Sequence, residues 1–144
     1  MSGCSSRVVV DAGDAIGVTD RPIADARQVV EAHYCRGGIL SSILSALRDM
    51  GSEITTLAPS DLAPVDEFHV GGRQATIELA NRASLKPGIP VLDVGCGLGG
   101  SVRYLASERQ CRATGIDLTG EYVEVPNALA QLLGLHEVTA FRRV

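Results

Sequence analysis

Val91-Leu92-Asp93-Val94-Gly95-Cys96-Gly97-Leu98-Gly99-Gly100 decides how this chain is read. Val91 to Val94 is a short apolar run broken by one acid, the pattern of a buried strand, and the glycines after it let the main chain turn sharply. Beyond them Val102, Leu105 and Ala106 recur at i, i+3, i+4, with Arg103, Glu108 and Arg109 on the opposite face, so a helix is predicted. Strand, glycine loop and helix make the first half of a βαβ unit. Missing Cβ atoms let a ligand approach the backbone of such a loop, and the helix N-terminus favours electron-rich groups, so a nucleotide-like ligand is expected.

A second strand is predicted from Cys111 to Ile116, with Asp117 at its carboxyl end. Open α/β sheets bind ligands at the carboxyl ends of their strands, so Asp117 faces the same crevice as the glycine loop and can accept both hydroxyls of a ribose. Read literally, Gly95-x-Gly97-x-x-Gly100 with Asp117 also satisfies the dinucleotide fingerprint.

Leu92-Asp93-Val94-Gly95-Cys96-Gly97-Leu98-Gly99 resembles the first motif of class I S-adenosylmethionine-dependent methyltransferases. Asp93 discriminates, because dinucleotide folds usually carry an apolar side chain two places before the first glycine. Gly115-Ile116-Asp117-Leu118-Thr119 resembles the second motif of the same family. The resemblance implies S-adenosyl-L-methionine as cofactor, lined by Asp93, Gly95, Cys96, Gly97 and Gly99, with Asp117 on the ribose and Leu118 beside adenine. Asp66-Glu67-Phe68-His69-Val70-Gly71-Gly72-Arg73, with the helix after it, resembles the entry segment of the quinone, tocopherol and glycine/sarcosine methyltransferase groups. That implies a small-molecule methyl acceptor, Phe68 and His69 near the methionine end and substrate mouth, and Tyr34 reaching in from a cap. The plainer readings are a satisfied histidine at a helix start, a packing tyrosine, and a solvated Arg73. No catalytic side chain is assigned: the sulfonium methyl is already activated, so in-line transfer needs positioning and desolvation rather than a triad.

Outward from these motifs, helices are expected over 24–35 and along the stripe Ile39, Leu40, Ile43, Leu44 and Leu47, stopped by Gly51. Residues 52–66 read as a linker with one short helical turn near Asp61, and 74–83 as a helix with Ala75, Leu79, Ala80 and Ala83 on its apolar face. Pro126 argues that the helix after Asp117 kinks or starts near that proline, leaving 121–125 irregular; Gly134 ends it, and a third strand is expected over 136–141. The expected architecture is α/β: a Rossmann-like class I methyltransferase fold, truncated after about three parallel strands, with an N-terminal helical cap. Its divisions are a flexible arm over 1–20, a cap and linker over 21–66, and a partial S-adenosylmethionine-binding domain over 67–144. The 54 residues from Val91 to Val144 suffice for β-α-β-α-β but not for a seven-stranded sheet. An exposed edge carrying Val91, Leu92 and Val94, self-association through it and weak cofactor affinity are therefore expected.

Composition narrows the class. The 144 residues carry a net charge of −4, 45% hydrophobic residues, 3% aromatics and no Trp, which disfavours nucleic acid as a partner. No apolar run reaches membrane-spanning length. Cys4, Cys35, Cys96 and Cys111 show no paired spacing, and His33, His69 and His136 no ligand spacing, so free thiols, a cytoplasmic setting and no metal are expected. Two other readings stay open: an NAD(P)-binding oxidoreductase fragment, and a non-catalytic remnant that acts only as an oligomeric or partner-bound module.

Overall fold

Three parallel strands, β1 (Pro90–Val94), β2 (Arg112–Asp117) and β3 (Thr139–Arg143), lie side by side in that order in a computed structural model, which describes residues 38–144. The expected helix over 24–35, with Tyr34, and the N-terminal arm fall outside the described residues. Val91 pairs with Ala113 and Val94 with Ile116 across the first ladder, and Gly115 pairs with Phe141 across the second. Among the described residues nothing pairs with the other side of β1, where Leu92 and Val94 stand 59% and 69% exposed. No described helix is long and apolar enough to cross a membrane.

Among the described residues five α-helices precede or connect the strands in a way that explains where the sequence pattern misleads. Helix α1 (Ile39–Asp49) buries Ile43 and Leu47 and is followed by Gly51 at φ +83°, as its stripe and glycine require. The expected linker is instead a 3-10 turn, Ile54–Thr56, followed by α2 (Pro59–Asp66). Pro59 occupies the first helical position, where its missing N–H costs nothing, and Asp61 Oδ2 accepts the Ala58 N–H at 2.9 Å. Fully buried Leu62 then anchors α2 in the core.

Helix α3 (Gly72–Arg82) buries Thr76 and Ala80, while Leu79 and Ala83 of the expected apolar face are exposed. The buried stripe is the i, i+4 pair that meets α4 (Gly100–Arg109), and Leu79 is turned toward the β1 edge instead. Helix α4 corrects a second expectation. Its outer side is covered by α2 and α3, so Arg103 is as buried as Val102 and Leu105 rather than solvent-facing.

Helix α5 (Glu121–Leu132) continues through Pro126, so it does not start late and 121–125 is helical rather than irregular. Gly120 has helical dihedrals and accepts the N–H groups of Val123 and Glu124 at 2.9 and 3.0 Å, starting the helix early. An interior proline costs about 3 kcal/mol in an isolated helix. Here its ring is wholly buried beside Gly99, and that packing opposes the backbone loss. Strand β3 begins later than expected because the Leu135 carbonyl holds Val138 and Thr139 in a turn through N–H bonds of 3.1 and 3.0 Å.

Two apolar clusters result. One, with Val102, Leu105, Cys111, Ala113, Ala130 and Phe141, sits between the sheet and its helices. The other joins Ile43, Leu47 and Leu62 of α1 and α2 to Leu129 of α5 through Leu98, a residue of the glycine loop itself. The helical cap is thus packed on the loop that forms the site.

Candidate functional site

The loop between β1 and α4 is pinned to the end of β2. Gly95 and Cys96 both donate their N–H to the Ile116 carbonyl, at 2.8 and 3.1 Å, and Gly97 donates to Asp117 Oδ2 at 3.0 Å. Asp117 Oδ1 accepts the Thr119 N–H at 3.0 Å. Each carboxylate oxygen therefore has one backbone donor and keeps a second lone pair, so Asp117 is fixed in orientation while retaining capacity for further donors.

The four loop glycines divide into two kinds. At Gly95 (φ +77°) and Gly97 (φ +51°) an added Cβ would meet nothing within 4 Å, so both open toward solvent at the strand ends. At Gly99 (φ +78°) a Cβ would stand 2.5 Å from the Phe141 ring and 3.0 Å from Pro126, so the glycine there is required by packing of loop on sheet. At Gly100 a Cβ would meet Glu67 Cγ at 2.7 Å and Asp66 Oδ1 at 2.8 Å. Sequence spacing treats all four alike; the neighbours of Gly99 and Gly100 come from residues 27 to 42 positions away, beyond the reach of a local motif.

Cys96 lies half-buried under the loop, against Gly115. Burial, and then the charges of Asp93 and Asp117, push its thiol up to about 12, so it is a packing and lining group rather than a thiolate nucleophile. The Asp93 carboxyl is also held above its ordinary range, chiefly by burial, with the neighbouring His69 opposing the shift and Asp117 adding to it.

A cleft of about 690 Å³ opens between the loop, the β1 edge and α3. His69, Thr76, Asp93, Gly95, Cys96 and Ser101 line it. His69 Nε2 lies 3.1 Å from Thr76 Oγ1, which lies 3.3 Å from Ser101 Oγ, so a hydroxyl relay runs from the 40%-exposed imidazole to the first turn of α4. His69 is thus both a satisfied polar group and a cleft wall. Phe68 is 78% exposed and stands outside the cleft lining, and half-exposed Leu118 lies just past Asp117 with its carbonyl accepting from Arg143 Nε at 3.1 Å.

Arg73 is not the solvated cation the sequence suggests. It pairs with Glu67 at 3.3 Å, reaches Glu108 at 4.0 Å and stacks 5.1 Å over the Tyr104 ring. Beneath it lies a group that sequence reasoning missed: the Asp66 and Arg103 side chains form an ion pair in which both are almost fully buried. Burial raises the Asp66 carboxyl although Arg103 pulls it down, and burial likewise lowers Arg103. No local signal marks the pair: the helix lies between two strands in sequence, and the helices that cover Arg103, α2 and α3, come from farther upstream. Among the described residues no group of His, Cys, Asp or Glu is arranged to hold a metal ion.

Comparison with known proteins places this geometry. The family model of the methionine biosynthesis protein MetW matches residues 76–137. Phosphoethanolamine N-methyltransferase 1 of Arabidopsis thaliana is 42% identical over 65 residues, 45% of this chain and 13% of that protein. A probable chloroplastic tocopherol O-methyltransferase of Oryza sativa subsp. japonica is 46% identical over 52 residues, 36% of this chain and 14% of that one. The chain therefore spans about one-seventh of the length of these relatives. Among solved structures, the MccD protein superposes with a TM-score of 0.50 at 21% identity, covering 52% of this chain and 33% of that chain, a likeness of fold.

Proposed function

From the premise that this chain is similar to class I S-adenosylmethionine-dependent methyltransferases, with their Rossmann-like fold, we propose that its glycine-loop half binds S-adenosyl-L-methionine and takes part in methyl transfer to a small-molecule acceptor. One observation carries the reading. Asp117, held by the Gly97 and Thr119 amides, faces the ends of β1 and β2 beside two glycines whose missing Cβ atoms leave open space. A nucleoside fits that cradle: its ribose hydroxyls donate to the fixed carboxylate while its flat parts approach the bare backbone. The residues proposed to hold the cofactor are Asp93, Gly95, Cys96, Gly97, Asp117 and Leu118, with Gly99 acting by letting the loop pack down on Phe141.

The bound cofactor would supply an activated methyl group. The chain's own residues would orient it, exclude water and present the acceptor from the cleft side, where His69 stands and Phe68 lies nearby. The relatives are named for phosphoethanolamine and tocopherol, which makes a small organic acceptor the class proposed here. The cap over 21–66 and the domain over 67–144 are proposed as the working division, Leu98 linking them. The acidic balance argues against nucleic acid as the partner, and the free thiols of Cys96 and Cys111 suit a reducing, cytoplasmic setting. The bare β1 edge, with Leu92 and Val94, is proposed as a route to self-association.

Thermal-shift titration tests the reading. Stabilisation by S-adenosylhomocysteine, and not by NADH, is expected, because only a ligand that binds the native state raises its midpoint. Stabilisation by NADH alone would overturn it.

A further inference from the structure

Asp66 ends α2 and enters the wall of the cleft. Its side chain is only 2% exposed. One oxygen, Oδ2, accepts from Arg103 Nη2; the other, Oδ1, has no hydrogen-bond partner. That free oxygen sits at the start of α4, where a Cβ built on Gly100 would come within 2.8 Å of it, and Asp66 shares the wall with Gly95, Cys96 and Ser101. Buried acceptors are almost always satisfied, so an orphaned carboxylate oxygen on a cleft wall marks a place where a donor belongs.

The charge of the surroundings says which donor. Asp66, Asp93 and Asp117 cluster around the cleft and loop, facing the guanidinium of Arg103, the imidazole of His69 and, at longer range, Arg73. Arg103, 1% exposed, is held against Asp66 through Nη2, and its Nε and Nη1 have no acceptor. Glu67, also buried, is answered by Arg73, which it shares with Glu108. The cleft is therefore short of positive charge. An S-adenosyl cofactor carries an α-ammonium at the end of its amino-acid tail, and in the methyl-donor form a sulfonium as well.

Resting on the methyltransferase reading above, we infer that Asp66 is a cofactor-binding residue whose free oxygen accepts the α-ammonium of the cofactor's amino-acid tail, with Arg103 as the positioning residue that aims it. Asp117 and Asp66 then mark the two ends of the ligand, the ribose at one and the amino-acid tail at the other. Burial holds the Asp66 carboxyl above its ordinary range, and an arriving ammonium would favour its ionised form.

The test separates the tail from the nucleoside. Isothermal titration of S-adenosylhomocysteine and of 5′-methylthioadenosine, which lacks the amino-acid tail, is run on the wild-type chain and on Asp66→Asn. Loss of a charged hydrogen bond should weaken S-adenosylhomocysteine by about tenfold or more while leaving 5′-methylthioadenosine within about twofold. Equal weakening of both ligands, as a purely structural Asp66 would give, or weakening of neither, overturns the inference while leaving the methyltransferase reading intact. Failure of both ligands to bind the wild-type chain refutes that reading and the inference with it. If Asp66→Asn does not fold, the wild-type chain carries the test through an S-adenosylhomocysteine analogue lacking the amino group: binding about tenfold weaker supports the inference, and equal binding overturns it.

Discussion

Replacing Gly99 and Gly97 separately by alanine should damage different properties of the molecule. Both glycines have positive φ, +78° and +51°, and a side chain in the left-handed region costs roughly 1–2 kcal/mol. At Gly97 that is the whole folding cost, because a Cβ there meets nothing within 4 Å. At Gly99 the Cβ would stand 2.5 and 2.7 Å from two ring atoms of Phe141 and 3.0 Å from Pro126. Phe141 and Pro126 are both buried, so neither can swing aside freely, and overpacking adds about 1–3 kcal/mol. Gly99→Ala should thus lose about 2–5 kcal/mol, a large share of the roughly 5–15 kcal/mol that holds a typical domain together. Urea unfolding followed by circular dichroism measures both variants, and titration with S-adenosylhomocysteine measures the site. Gly97→Ala should unfold within about 2 kcal/mol of wild type yet bind poorly, since its new methyl group occupies ligand space. Equal destabilisation by the two substitutions, or a Gly99→Ala that unfolds like wild type, would refute the division of the loop into ligand glycines and packing glycines.

Removing one member of the buried ion pair should be severe: Arg103→Met leaves Asp66 buried without its hydrogen-bonded cation, at a cost of about 3–5 kcal/mol, and the double variant Asp66→Leu/Arg103→Met should recover much of it in the same unfolding assay. The raised carboxyls of Asp66, Glu67 and Asp93 bind protons more tightly in the folded chain, so the stability they contribute is full below their unfolded values near 3.8 to 4.5 and is lost as pH rises through the raised values. Asp93→Asn should accordingly melt higher than wild type at pH 8, with the gap closing toward pH 4; a gap that widens on acidification would contradict the assignment. Leu92→Glu on the β1 edge should reduce concentration-dependent association in sedimentation velocity without lowering the melting temperature, because Leu92 is 59% exposed.

The β-α-β-α-β order was legible because each strand ends at a turn signal and each helix carries its own period. Gly95 with Asp117 could be paired across 22 positions because loop and strand end are adjacent elements of one unit, and the Gly97–Asp117 bond closes that pair. Pro126 misled because helix propensity is local, whereas the pocket beside Gly99 and Phe141 that buries its ring is assembled from distant segments. Arg103 and Leu79 misled for the same reason: a helical period assigns one inner face, and α4 is covered by other helices on its outer side, so its polar residue went inward while the apolar Leu79 of α3 was left out. The linker before Asp66 hid a helix because Pro59, a breaker in mid-helix, is a starter at its first position.

Nitrogen-15 chemical-shift mapping during titration with S-adenosylhomocysteine tests the cofactor site most directly. The Gly95–Asp117 cradle predicts that the largest amide perturbations fall on Gly95, Cys96, Gly97, Leu118 and Thr119, with the α1 helix and the far end of β3 little changed. Perturbations centred away from the glycine loop, or stronger ones from NADH at the same concentration, would contradict it.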